Sequence, residues 1–255
     1  AKHSDSNGKF KKLPELEGDI LDRVIQGAYD VNDDLTEFEP IRQLRDEIKT
    51  FLLAGHETSS MMLTWALYEL SKDTKSRDRV RKEALNAFSS DDGGSLDDLP
   101  SAEQLKQSLS FTECVLKETL RLHSVVPIVA REAVNDDVLC GYFIPKGTKL
   151  MIHLQSLHNN ADLWPNPTKF DPTRFEGVDT QKPSGHRYAF NPFVNGPRSC
   201  IGQHFSLLES KIVLALLVRK YNISPALPMS QAGEKHPYVL PYAPKHGFPV
   251  HSVPV

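Results

Sequence analysis

Three cysteines stand in 255 residues, and the surroundings of one of them suit chemistry. Cys200 ends the stretch FVNGPRSC and is followed by Ile201 and Gly202. A lone cysteine is most often a small buried hydrophobe, and by itself Cys200 could be one. Its neighbours suit another task. Two glycines and a proline around it exclude a regular helix up to the cysteine. The run QHFSLLESKIVLALLVRK beyond it has an amphipathic helical pattern. Cys200 therefore falls where a loop meets a helix N-terminus, where free N–H groups and the helix dipole favour a thiolate. Arg198 adds a permanent cation two residues away, and Phe193 an aromatic wall. Gly196 and Gly202 carry no side chain, so a flat object could approach the backbone closely.

Two further groups carry chemical potential. In AGHETSS, Gly55 costs a helix about 1 kcal/mol relative to alanine. It is either a close-packing glycine or a site that needs room. Thr58 can bond back to the carbonyl of Ala54 and loosen the helix there, and Glu57 sets an acid beside that alcohol. The letters HET also open a zinc-protease helix, but the residue four after His56 is Ser60, which excludes that site. Glu118 and Arg121 are three apart on one helix face, which in most proteins is an ordinary surface ion pair.

A flat, anionic, iron-bearing object that takes a thiolate ligand is a haem with its propionates. The five positions Phe193, Gly196, Arg198, Cys200 and Gly202 reproduce F-x-x-G-x-R-x-C-x-G, and the chain thereby resembles the cytochrome P450 family. One departure is Val194, where the family usually has a small residue. The resemblance implies haem b held axially by the Cys200 thiolate. It makes Ala54, Gly55, Glu57 and Thr58 the family's A-G-x-[D/E]-T oxygen-activation site, with the threonine hydroxyl and its waters delivering protons. It makes Glu118 and Arg121 the E-x-x-R pair and Arg174 of FDPTRF the third member of a structural triad, with Thr173 where a Glu is more usual. One carboxylate between two guanidiniums could then use both oxygens, each in a bidentate bond, locking the Pro-rich segment on the helix. Arg131 of PIVAREAV, ten residues before Gly141, would hold a haem propionate, although a surface arginine would read the same way. The resemblance also makes Val125, Val126, Ile128 and Val129 a substrate-facing strand, as any buried strand would look.

The elements that must position these groups follow from periodicity. Apolar residues Ile41, Leu44, Ile48 and Phe51 recur at spacings of three and four, predicting one long helix from Glu37 to Ser71. A short helix is expected around Ile20–Ile25 and another over Ser76–Phe88, then an acidic loop over Asp91–Leu99. A third long helix runs from Ser101, with a break near Gln107, to His123. Eight prolines between Pro127 and Pro197 exclude long helices there. Short strands are expected at Val138–Leu139, Tyr142–Ile144 and Lys149–Ile152, with a turn at PKGT. Another helix reaches about Tyr221, and the Pro-rich remainder forms turns and short strands. The expected fold is mainly α with a small β portion: the C-terminal part of a cytochrome P450 fold, residues 1–18 being a polar lead-in and 19–255 the C-terminal half of a single domain.

Composition agrees with a folded protein, at 39% hydrophobic and 25% charged residues. A net charge of -3 favours neither nucleic acid nor an anionic membrane surface. No C-x-x-C pair exists, which argues against a zinc cage or disulfide framework. The chain begins at Ala1, and the resemblance covers about the C-terminal half of a family member. A fragment or processed product is therefore expected, with the early helices and a membrane anchor in a missing N-terminal part and apolar surface left bare where those helices pack. The resemblance implies a monooxygenase that inserts one atom of dioxygen into an apolar small-molecule substrate. It would draw electrons from an NADPH-dependent flavoprotein reductase, or from a ferredoxin. The eukaryotic style of the motifs implies the endoplasmic reticulum membrane, cytoplasmic face, with plastid or mitochondrion as alternatives. Two other readings stay open: a haem-thiolate isomerase or dehydratase of peroxides, and a truncated, non-catalytic fragment.

Overall fold

The computed structural model describes residues 38–88, 100–177, 186, 188–235 and 241–255. The expected helix at Ile20–Ile25, the lead-in and the acidic loop at Asp91–Leu99 lie outside the described residues. Contacts divide the chain into residues 1–56 and 57–255, a boundary inside the first described helix, α1 (Phe38–Lys72). Of the first unit only the helical residues 38–56 are described, with Phe51, Leu52 and Leu53 exposed.

The second unit carries the core. Helix α2 (Thr74–Ala87) starts where Asp73 accepts the Ser76 N–H at 3.2 Å, satisfying a first-turn donor that no helical carbonyl can reach. Helix α3 (Ala102–Ser108) opens on a Ser101/Gln104 capping box. The chain then breaks at Leu109 and restarts as α4 (Ser110–Leu122). That helix has no side-chain cap of its own. Glu83 of α2 serves instead, accepting from the Phe111 and Thr112 N–H groups at 2.7 and 2.8 Å.

Beyond α4 the prolines have the expected effect. Strands β1 (Ile128–Glu132), β2 (Asp137–Leu139), β3 (Tyr142–Ile144) and β4 (Lys149–His153) form two antiparallel pairs, β1 with β4 and β2 with β3. Cys140 and Gly141, at φ 51° and 85°, close the β2–β3 hairpin as a two-residue turn, the positive-φ geometry that matches strand twist. A short helix α5 (Leu154–His158) and a 3-10 turn at Pro172–Phe175 follow. Helix α6 (Gln203–Lys220) runs into β5 (Tyr221–Pro225), which pairs with β6 (Val250–Pro254); between them lies the single turn α7 (Met229–Ala232).

The main core gathers Met62, Ala66 and Leu70 of α1 with Val80 of α2, Phe111, Val115, Leu116 and Leu120 of α4, and Leu214 and Val218 of α6; Trp164 and Phe175 of the irregular segment close it. The fold is mainly α with a small β portion, as the sequence predicts. Among the described residues no helix is long and apolar enough to cross a membrane.

Candidate functional site

The Cys200 loop is shaped by its own backbone. The Val194 N–H donates to Asn191 O at 3.1 Å, Ser199 N–H to Gly196 O at 3.0 Å, and Cys200 N–H to Phe193 O at 2.9 Å. These bonds fold residues 191–200 back on themselves and present the thiol outward; Cys200 is exposed. Gly196 sits at φ 84°, where its missing Cβ is required by backbone conformation rather than by crowding, because nothing lies within 4 Å of it. Gly202 caps α6, and a Cβ there would lie 3.9 Å from the Cys200 Sγ.

The thiol opens on a cavity of about 190 Å³. Thr58 and Met62 of α1 line one part of it, Leu120 of α4 with Val125 and Val126 another, and the loop adds Pro192, Phe193, Val194, Arg198 and Cys200. Ser206 of α6 completes the lining, and its hydroxyl meets that of buried Ser59 at 3.0 Å, tying the helix of Thr58 to the helix after Cys200. The structure thus brings Thr58, Phe193, Arg198 and Cys200 to one apolar space. Neither Glu57 nor Arg131 lines it. Glu57 is an exposed acid on α1 next to Thr58, and Arg131 lies on β1 with its guanidinium on the Ala130 carbonyl at 2.8 Å. Ala54 and Gly55 belong to the first unit, and a Cβ on Gly55 would meet nothing within 4 Å among the described residues. A larger cavity, about 710 Å³, shares Leu120, Pro192, Phe193 and Val194 with it and is also lined by Lys106, Glu113, Lys117 and His204, but by neither Cys200 nor Thr58.

Neither of the other cysteines lines this cavity. Burial pushes the Cys114 thiol up to about 11, disfavouring the thiolate. Cys140 is at the tip of the β2–β3 hairpin.

The ion cluster is not a surface pair. Glu118 and Arg121 both have 0% exposure. Arg121 donates through Nε and Nη2 to the two Glu118 oxygens, 2.8 Å each, a bidentate geometry open to arginine and closed to lysine. Its remaining donors reach the carbonyls of His158, Pro167 and Lys169 at 2.9, 2.7 and 3.2 Å. Glu118 Oε1 also accepts the Asp171 N–H at 2.9 Å. Arg174 is the third member, but with one contact: its Nε lies 3.4 Å from Glu118 Oε1, and its Nη2 donates to Asn166 O at 3.1 Å. The expected second bidentate bond does not form. Burial raises the Glu118 carboxyl above its ordinary value against the opposing pull of Arg121, the Asp171 N–H and Arg174. The cluster pins the irregular segment 158–174 to α4.

The residues fit a haem. The donor is a soft, exposed thiol, the adjoining walls are apolar, a cation stands at the loop, and a hydroxyl-bearing residue faces the same space. Sequence reasoning missed Met62, Leu120 and Ser206. Helical periodicity says that Met62 and Leu120 face inward, without separating a core from a cavity wall, and a serine on a largely apolar helix gives no signal of its partner.

Comparison with known proteins agrees with this geometry. The sequence model of Cytochrome P450 matches residues 12–241. Cytochrome P450 4c21 of Blattella germanica is 36% identical over 214 residues, which is 84% of this chain and 39% of that protein. Cytochrome P450 4X1 of Mus musculus is 37% identical over 209 residues, 82% of this chain and 39% of that protein. Cytochrome P450 4V2 of Homo sapiens is 38% identical over 178 residues, 70% of this chain and 32% of that protein. The chain therefore spans about two fifths or less of the length of these curated relatives. With the motifs, the cavity and the family match in agreement, this chain belongs to the cytochrome P450 family.

Proposed function

We propose that this chain carries the thiolate and oxygen-side elements of a haem monooxygenase, with Cys200 as the axial ligand of haem b. The observation that carries the reading is that Cys200 and Thr58, about 140 residues apart in sequence, line one apolar cavity. Bound haem would supply reductive activation of dioxygen at a thiolate-ligated iron. The chain's own residues supply the rest. The loop's hydrogen bonds hold the Cys200 Sγ toward the cavity. Arg198, two residues away, offers a cation for a propionate, and Arg131 is proposed as a second such cation. The Thr58 hydroxyl holds and passes a proton at the cavity wall, and Glu57 beside it exchanges protons with solvent. Ala54 and Gly55 leave α1 without bulky side chains one turn before Thr58. Met62, Leu120, Val125 and Val126 exclude water and suit an apolar substrate.

Electrons would come from an NADPH-dependent flavoprotein reductase, with a ferredoxin as the other donor class. The eukaryotic style of the motifs suggests an endoplasmic reticulum setting, with an anchor outside this chain and plastid or mitochondrion as the alternatives. The presence of both Glu57 and Thr58 favours dioxygen chemistry over peroxide isomerisation or dehydration, neither of which needs such protons. The experiment is product analysis under oxygen-18 dioxygen with reductase in the haem-loaded protein. One labelled atom enters the product, and Thr58→Ala lowers the rate of labelled-product formation by about 10²-fold, the low end of the range for loss of an acid–base group. Unlabelled product formed from an organic peroxide without reductase contradicts the reading.

A further inference from the structure

We propose that His158 is a positioning residue that couples the buried Glu118–Arg121 cluster to the Cys200 loop, gripping the root of that loop through one fixed ring tautomer. His158 ends α5 and is fully buried. Its carbonyl accepts from Arg121 Nη1 at 2.9 Å. Its ring serves the loop. The Asn191 backbone N–H lies 3.0 Å from Nε2, and the Ser124 hydroxyl 2.8 Å from Nδ1. A backbone N–H can only donate, so Nε2 must carry the lone pair. The ring proton is then on Nδ1 and is accepted by Ser124 Oγ, whose own proton goes to Leu120 O at 3.3 Å. Every polar atom in the set has a partner in that one arrangement, and the opposite tautomer would set donor against donor.

The grip is transmitted. Asn191 opens the turn that Val194 closes, and Phe193 within it receives the Cys200 N–H. Phe190 packs on the imidazole with ring centroids 5.4 Å apart. Burial, with Arg121 nearby, lowers the ring's pKa to about 3, consistent with a permanently neutral acceptor. His158 is not among the residues lining the cavity at Cys200, so it acts through Asn191. The consequence for a bound haem rests on Cys200 being the ligand; the contact itself does not.

The test compares His158→Phe, which removes both ring nitrogens, with His158→Gln, whose amide oxygen can replace the Nε2 acceptor. Nitrogen-15 spectra of the parent show the Nδ1–H tautomer. In His158→Phe, amide exchange at Asn191 speeds up roughly tenfold, the effect of one lost buried hydrogen bond, while exchange in α6 is unchanged. In the haem-loaded, reduced protein, the red-shifted carbon-monoxide band decays roughly tenfold faster in mild denaturant, and His158→Gln stays within about twofold of the parent on both counts. A parent without that band would sink the haem assignment, while the tautomer and exchange results still decide the grip. An Nε2–H tautomer, parent-like exchange or band lifetime in His158→Phe, or a His158→Gln variant as impaired as His158→Phe, overturns the proposal.

Discussion

Val194 occupies left-handed backbone, φ 61°, in the middle of the Cys200 loop. For a β-branched residue that conformation costs about 1–2 kcal/mol. The departure from a small residue seen in the sequence thus falls on a backbone angle that glycine would adopt freely. Val194→Gly is expected to raise the unfolding free energy by about 1 kcal/mol, less than the full strain because glycine also loosens the unfolded chain. Denaturant unfolding measures it; an equal or lower midpoint would mean that the loop is held at that angle by something Val194 itself provides. At the same scale Arg121 has no spare donor facing water. Arg121→Ala leaves the Glu118 carboxyl buried with one weaker arginine contact, and is expected to cost about 3–5 kcal/mol. Arg121→Lys recovers only part of that, because a point ammonium cannot make the bidentate bond.

At the scale of elements, two histidines stitch helices to irregular segments while uncharged. His158 joins α4 and α5 to the Cys200 loop. His123, just past α4, meets Glu69 of α1 at 2.6 Å and stacks on Trp65, centroids 4.2 Å apart. Burial lowers their pKa values to about 3 and about 4, from an ordinary 6.5. Below pH 6.5 the unfolded chain takes up protons that the folded chain refuses. Unfolding therefore gains protons, and stability falls as pH drops from about 6.5 toward 4, by up to about 1.4 kcal/mol per pH unit for each histidine. Urea midpoints at pH 7 and pH 5 check this: the parent loses stability between them, and His158→Gln loses less. A pH-independent difference between parent and variant would contradict the neutral, buried imidazole.

The sequence made some of these elements readable and hid others for definite reasons. Helix α1 and helix α6 follow from apolar spacing and fall within a few residues of the expected bounds. The break at Leu109, two residues from the expected one at Gln107, follows from a lapse in the same pattern. Strand β3 was legible from its apolar run and the turn that follows. The cap of α4 by Glu83 was not, because the two lie 28 residues apart and only the packing of α2 on α4 brings them together. His158 was hidden for the same reason. It stands in a run of polar and irregular residues, and its partners Ser124 and Asn191 lie more than 30 positions away on either side. Arg131, by contrast, was singled out by the family resemblance, and it is not among the residues that line the cavity at Cys200.

Over the whole molecule, the described core joins the helices of the second unit, yet several apolar side chains beside the site remain bare. Ile201 is 87% exposed and Phe205 62%, one turn apart at the start of α6. The chain spans about two fifths of its relatives' length. The reading of the molecule nevertheless turns on one sulfur. The most direct measurement is the carbon-monoxide difference spectrum of the reduced, haem-loaded protein beside its Cys200→Ser variant. The parent is expected to give the red-shifted band of a thiolate ligand, and the variant to lose it while Cys114→Ser and Cys140→Ser keep it. A band that survives Cys200→Ser, or that vanishes with either other cysteine instead, would contradict the account.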